Sequence, residues 1–352
     1  MRALFVLPAP VRVPMGGAAV VYRHASGLAA RGHDVTVAAP RRGAGVRGRA
    51  IRAAVVARDR LQGVAPAPLY ARPGVSTVEV ETPGELRVDG FDAVIATGHQ
   101  TAPWVDHAMG GRPQGRFYFL QADERRLSPR AEGTWHLPFV RVAVARWLAD
   151  ELDAHGVAVE AVVPNAVDPD DFFLTCPLSD REARVVALYH RHPVKGPDTL
   201  VDTLGRVLTA RPDIGVDVIA ARTPSHRLPP NATVHLRPDV ETLRGLYNRA
   251  SLCLHTSREE GWGLVPMEAA ACGCAVVATA SRGVSEFLVD GRSMRQVPVG
   301  DASRLAAEVV DLMGDRAARV RLATAAREDV ARFTWDDSTD RFESVLLEAA
   351  PS

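Results

Sequence analysis

Residues 3–39, ALFVLPAPVRVPMGGAAVVYRHASGLAARGHDVTVAA, decide the fold class. Ala3–Leu7 is an unbroken apolar run, the pattern of a strand covered on both faces. A loop containing Gly16 and Gly17 follows, then a helical stretch from about Ala18 to Ala30 and a second β-rich run over Asp34–Ala39. Strand, glycine loop, helix and strand make a βαβ unit, which calls for a parallel sheet and an α/β fold.

The alternation continues outward from there. Further strands are expected at Ser76–Val80, Ala93–Thr97, Arg116–Leu120, Arg141–Ala145 and Ala161–Val163. A second series runs through Val185–Tyr189, Gly215–Ala220, Thr233–Leu236, Ala250–His255 and Ala275–Ala278, with helical stretches such as Asp198–Ala210 and Val240–Arg249 between them. Two α/β domains result, joined near Pro164–Leu178, where prolines and aspartates mark a linker. Amphipathic helices over Ala302–Met313, Arg316–Arg332 and Asp336–Glu348 close the chain.

Composition bounds the function. A length of 352 residues suits two domains, and 47% hydrophobic with 24% charged residues is that of a soluble globular protein. Forty-two Lys+Arg against 42 Asp+Glu leave no net charge, which argues against a nucleic-acid binder driven by bulk charge. Four cysteines in a chain this long form no disulfide framework and suit a reducing compartment. No apolar run approaches the length of a membrane span, and the run ending at Leu7 is too short for a signal peptide. A cytoplasmic protein is expected, with its oligomeric state open.

The stretch Glu259–Gly273, EEGWGLVPMEAAACG, carries the chemistry. Gly261 and Gly263 let the backbone approach a ligand closely. Pro266 suits the first turn of a helix and Gly273 its end. The N–H groups at that helix start then suit an anion such as a diphosphate. Glu260 and Glu268 bracket the loop; taken alone, this pair reads first as partners of the helix dipole.

The surrounding blocks weigh against that plainer reading. HTSREEGWGLVPMEAAACG resembles the signature of the family-4 retaining glycosyltransferases. Other blocks stand in that family's order: Gly16-Gly17, Arg31-Gly32-His33-Asp34-Val35, Pro164-Asn165-Ala166-Val167-Asp168, Lys195-Gly196 and Phe333-Thr334-Trp335. The resemblance spans nearly the whole chain. It implies a GT-B architecture: two Rossmann-like domains facing across a cleft, with a C-terminal helix crossing back to the first. The acceptor domain is then expected at 1–167, the nucleotide-sugar domain at 168–334 and the returning helix at 335–352.

By the same resemblance, Glu260 holds hydroxyls of the donor sugar, and Glu268 accepts hydrogen bonds from the ribose. Trp262, Gly263, Leu264 and Val265 form the loop that contacts sugar and diphosphate through its backbone. Arg191 and Lys195 neutralise the leaving diphosphate, a charge-stabilising role that needs no metal ion. His99 faces the donor sugar, and Gly16 and Gly17 line the floor between donor and acceptor. The implied reaction moves a hexosyl or deoxyhexosyl group from a nucleotide-diphosphate sugar to a hydroxyl acceptor with retention, without a cofactor. The rival readings are a non-catalytic nucleotide-sugar binder and a nicotinamide-dependent oxidoreductase.

Other motifs are weaker. Gly43–Gly48 spells G-x-G-x-x-G but follows the second strand, whereas a dinucleotide site needs it between the first strand and its helix. Asp168-Pro169-Asp170 matches a D-x-D metal motif but sits in the expected linker, and Cys272-x-Cys274 and His190-x-His192 lack further ligands at metal spacing, so no metal site is expected. Phe117–Glu124, FYFLQADE, resembles a Tyr-Phe-x-Gln-Asp-x-Glu block of some bacterial polysaccharide rhamnosyltransferases, with Asp123 displaced by one position. Arg41–Arg60 holds seven arginines against one acid, Asp59. It reads as a solvated loop and helix, with peripheral contact to an anionic membrane surface or a phosphorylated acceptor as alternatives. Ala166, Ala275 and Arg282 depart from the family, the last two standing where it has proline and glycine.

Overall fold

The computed structural model describes residues 1–41, 70, 72–112 and 114–350. The chain forms two compact units, one of Met1–Pro164 with Trp335–Ser352 and one of Asn165–Thr334. Their boundaries fall three residues before the expected 167/168 junction and at the expected 334/335 junction.

The first unit is built on a seven-stranded sheet of order β3-β2-β1-β4-β5-β6-β7. Its strands are β1 Arg2–Val6, β2 Asp34–Pro40, β3 Val75–Val80, β4 Ala93–Ala96, β5 Arg116–Leu120, β6 Val140–Ala143 and β7 Ala161–Val162. Every pairing is parallel; Phe5 faces Val37 on one side and Ile95 on the other. Beyond Arg2 and Arg116, the central strands β1, β4 and β5 are apolar, as helices cover both faces of a parallel sheet. Those helices are α1 Gly16–Ala30, α2 Ala102–Met109, α3 Ala131–Trp135 and α4 Arg146–Asp153.

Helix α1 begins earlier than the sequence suggests. Gly16 and Gly17 form its first turn rather than a preceding loop, and neither has a positive φ. The first N–H groups of a helix lack intrahelical partners in any case, so a glycine pair is tolerated there.

The C-terminal helix α10, Trp335–Ala349, belongs to this first unit. Phe342 stacks on Phe5 at 5.9 Å and on His24 at 4.6 Å, and Glu343 receives Arg31 at 2.7 Å and His33 at 2.5 Å. Gly27 of α1 meets the helix so closely that a Cβ there would lie 2.6 Å from Thr339 Oγ1.

The second unit has a six-stranded parallel sheet of order β10-β9-β8-β11-β12-β13. The strands are β8 Glu182–Tyr189, β9 Gly215–Ala220, β10 Ala232–Leu236, β11 Ala250–His255, β12 Ala275–Thr279 and β13 Arg295–Val297. Its helices are α5 Pro197–Ala210, α6 Val240–Arg249, α7 Leu264–Ala271, α8 Ala302–Gly314 and α9 Arg316–Val330. The segment read as a linker is packed instead: Asn248 Oδ1 accepts from Thr175 N–H at 2.6 Å and its amide donates to the Phe173 carbonyl at 2.9 Å. A buried side-chain amide satisfies that irregular backbone where a free linker would use water.

Candidate functional site

In the second unit the chain enters the sheet at β8, runs outward through β9 and β10, and returns to build β11, β12 and β13 on the other side. The carboxyl ends of β8 and β11 therefore form a topological switch point, the place where open α/β sheets bind ligands. The loops leaving these two strands are bonded together. Arg258 N–H donates to the Val194 carbonyl at 2.7 Å, and Thr256 Oγ1 donates to the Gly196 carbonyl at 3.2 Å. Gly196 has φ +63°, and a Cβ there would lie 2.1 Å from the Thr256 carbonyl oxygen. Only glycine permits that approach.

This joining brings Lys195 to Glu260. Lys195 Nζ lies 2.6 Å from Glu260 Oε2, Ser257 Oγ donates to Oε1 at 2.7 Å, and His255 Nε2 lies 3.5 Å from Oε1. Burial by itself raises the Glu260 carboxyl; Lys195, His255 and Ser257 outweigh it and hold it below the ordinary carboxylate value. Burial pushes the His255 imidazole down to about 4, with Lys195 acting in the same direction and Glu260 opposing. At neutral pH Glu260 is thus an ionised carboxylate and His255 a neutral imidazole. Neither Ser257 nor His255 was singled out from sequence, although both stand within the quoted signature just ahead of Glu260.

The loop after Glu260 is held from a third strand. Glu260 N–H donates to the Ser281 carbonyl at 3.0 Å. A Cβ on Gly283 would lie 2.6 to 2.8 Å from three backbone atoms of Glu260 and Trp262. Between them, Arg282 adopts φ +63°, a conformation natural to glycine, and donates to Glu259 Oε2 at 2.9 Å. The family's glycine at this position is thereby explained, and here an ion pair accompanies the left-handed backbone.

Trp262 points inward. Its indole is 3% exposed, stacks on Phe287 at 5.4 Å, meets Phe333 edge-on at 5.2 Å and donates to Met267 Sδ at 3.1 Å. What Trp262 can offer a ligand is its backbone. Gly263, at φ +107°, caps α7, whose first residues Leu264 and Val265 carry N–H groups with no partner inside the helix. Glu268 lies further along α7 and accepts from Tyr247 Oη at 3.2 Å. Burial and the Glu268 charge push the Tyr247 hydroxyl well up, so it stays a donor.

Arg191, the other member of the expected basic pair, is held by a loop carbonyl. Its Nε and Nη2 donate to the Thr223 carbonyl at 3.2 and 2.5 Å. A guanidinium is a planar fork of donors, and here it takes a loop carbonyl within reach.

The first unit repeats the topology, with its switch point between β1 and β4. Gly16 and Gly17 follow β1, and His99 follows β4. Both meet the segment after β5: a Cβ on Gly17 would lie 3.3 Å from Gln121 Oε1, and His99 Nδ1 lies 3.0 Å from Glu124 Oε1.

Asp168 Oδ1 accepts from Asp170 N–H at 2.9 Å, an Asx turn. Cys272 and Cys274 are buried, and burial pushes both thiols up to about 12. Among the described residues no group of three or more His, Cys, Asp or Glu could hold a metal ion, and no helix is long and apolar enough to cross a membrane. Arg41 is paired with Glu79 at 2.8 Å and Glu81 at 2.7 Å. The rest of the arginine-rich stretch, including Gly43–Gly48, lies outside the described residues.

Residues 183–315 match the family described as glycosyl transferases group 1. The chain is 31% identical over 212 residues to a phosphatidyl-myo-inositol mannosyltransferase of Mycolicibacterium smegmatis, covering 55% of this chain and 53% of that protein. The chain spans about half the length of the curated relatives it matches first. Among solved structures, sucrose-phosphate synthase of Thermosynechococcus elongatus superposes with a TM-score of 0.77 at 16% identity, covering 99% of this chain and 98% of that one. Anabaena HepE in complex with UDP-glucose gives 0.75 at 17% identity, covering 99% and 100%. The two parallel α/β sheets and returning helix are those of the GT-B fold, and the match to the group 1 glycosyl transferases lies within the second unit.

Proposed function

We propose that this chain, a group 1 glycosyl transferase by the sequence of its second unit, transfers a sugar from a nucleotide-diphosphate donor to a hydroxyl acceptor with retention of anomeric configuration. The observation that carries the reading is the Lys195–Glu260 pair, 2.6 Å apart at the switch point and followed by the glycine-capped start of α7. An ammonium and helix N–H groups without intrahelical partners suit a diphosphate, and an ionised carboxylate beside them suits sugar hydroxyls.

The donor inventory supports this division of labour. Lys195 has three N–H donors and gives one to Glu260, leaving two for phosphate oxygens. Each Glu260 oxygen accepts one bond, from Ser257 or Lys195, and keeps capacity for a sugar hydroxyl. As the glycosidic C–O bond breaks, negative charge grows on the leaving diphosphate, and Lys195 stabilises it without a bound metal. Arg191 adds to that stabilisation after exchanging the Thr223 carbonyl for a phosphate oxygen. Glu268, bonded on one oxygen by Tyr247, accepts from the ribose hydroxyls.

Among the described residues of the first unit no carboxylate stands out as a covalent nucleophile. The reading is therefore a front-face reaction through an oxocarbenium-like state, in which the acceptor attacks from the side the diphosphate leaves. The enzyme contributes positioning and charge stabilisation. The UDP-glucose complex of HepE and the inositol-lipid acceptor named for the mycobacterial relative are in keeping with a nucleotide-sugar donor and a polyol hydroxyl acceptor.

The test is transfer from UDP-, GDP- and dTDP-sugars in the presence of EDTA, with the product anomer read by proton NMR. An α-linked product from an α-configured donor supports the proposal. An inverted product, or activity only when a divalent cation is restored, contradicts it.

A further inference from the structure

We propose that Glu124 is a positioning residue that locks His99 in its Nδ1–H tautomer, so that Nε2 meets the substrate as a hydrogen-bond acceptor. The inference rests on the reading above that His99 faces the sugar, and it adds the group that sets how His99 does so.

The geometry leaves little choice of proton. Glu124 grips His99 with both oxygens: Oε2 accepts the His99 backbone N–H at 2.6 Å, and Oε1 lies 3.0 Å from Nδ1. The two side chains are only 11% and 18% exposed. Glu124 accepts from the His99 backbone N–H and from Tyr118 Oη, so the carboxylate faces Nδ1 as an acceptor and Nδ1 is the donor; a ring carrying that one proton has its lone pair on Nε2. Gly98 confirms the tightness of the fit, since a Cβ there would lie 3.1 Å from Glu124 Oε1.

Glu124 is itself fixed. It opens a 3-10 turn, and its carbonyl accepts the N–H groups of Leu127 at 2.8 Å and Ser128 at 2.9 Å. Tyr118 Oη donates to Glu124 Oε2 at 3.3 Å and contacts Thr134 Oγ1 at the same distance. The adjacent carboxylate serves a different purpose: Asp123 caps the turn through Arg125 N–H at 3.1 Å and holds the Arg125 guanidinium at 2.7 and 2.9 Å. The block FYFLQADE thus sends Glu124 to His99 and Gln121 to Gly17, joining the two pieces of the first unit's switch point.

Glu124→Gln is a sharp probe because the backbone N–H of His99 can only donate. The single Gln oxygen stays with that N–H, the Gln amide N–H then faces Nδ1, and the ring proton moves to Nε2. Nitrogen-15 NMR of the full chain labelled at histidine, assigned by loss of the signal in His99→Gln, reads the tautomer directly. The expected result is Nδ1–H in the native chain and Nε2–H in Glu124→Gln. Turnover should fall about tenfold or more while nucleoside diphosphate affinity is unchanged.

An Nε2–H tautomer in the native chain overturns the proposal, and that measurement needs no variant to fold. Native turnover in a Glu124→Gln chain whose tautomer has inverted overturns it as well. If no nucleotide sugar is turned over at all, the transferase reading fails, while the native tautomer still decides whether Glu124 sets His99.

Discussion

Lys195 Nζ and Glu260 Oε2 lie 2.6 Å apart although 65 residues separate them in sequence, and they meet because β8 and β11 are neighbours in the sheet. Removing Lys195 takes away the group assigned to the leaving phosphate and leaves Glu260 buried without its cation. Lys195→Ala should lower kcat/KM by about two to three orders of magnitude. The double variant Lys195→Ala/Glu260→Ala should lose much less than the product of the single losses, as coupled residues do. Steady-state kinetics on the four proteins check this; multiplicative losses would separate the two residues functionally.

Two glycines set the loop positions. Gly196→Ala places a methyl against the Thr256 carbonyl, and Gly283→Ala places one against the Glu260 and Trp262 backbones. Each should cost about 1–3 kcal/mol in urea unfolding and weaken nucleotide binding. Gly205 lies inside α5 with open space around it, so Gly205→Ala should stabilise by about 0.5–1 kcal/mol. Equal effects at the three positions would show that local packing does not hold the site.

Trp262 separates packing from recognition. Its indole packs between Phe287 and Phe333, so Trp262→Ala should destabilise by about 3–5 kcal/mol. Trp262→Phe keeps an aromatic ring in that space and leaves the loop backbone unchanged. Nucleotide affinity near the native value is expected for it from calorimetry, and loss of binding in a folded Trp262→Phe chain would assign the indole a direct role.

Acid stability should report on His24. Burial between Phe119, Trp335 and Phe342 pushes its imidazole down to about 3 from an ordinary 6.5, and neither ring nitrogen has a partner among the described residues. Between those values the unfolded chain binds a proton that the folded chain does not. The contribution is therefore complete above 6.5 and shrinks as pH falls toward 3, by about 1.4 kcal/mol per pH unit. His255 acts in the same direction down to about 4. In urea unfolding at about pH 7 and about pH 5, His24→Phe should lose less stability on acidification than the native chain; equal losses would contradict the assignment.

The sheets were legible because buried parallel strands leave unbroken apolar runs, as in Ala93–Ala96 and Ala250–His255. Strand β13, Arg295–Val297, has a single apolar residue and went unread. At the site, Glu260, Glu268, Trp262 and Lys195 stood out through motif and spacing. Ser257, His255, Gly283 and Glu124 act through neighbours that only the folded chain supplies, and the Thr223 carbonyl that holds Arg191 is a backbone atom with no letter of its own. Periodicity reports which face is buried; it does not report which loop carbonyl a guanidinium will find.

The central claim is that the second unit binds a nucleoside diphosphate through Lys195, the start of α7 and Glu268. Calorimetric titration of the purified chain with UDP, GDP, dTDP, ADP and NAD, in EDTA, tests it most directly. The account predicts saturable binding of one nucleoside diphosphate, lost in Glu268→Ala and weakened in Lys195→Ala. Binding of NAD alone, or no binding across the panel, would contradict it.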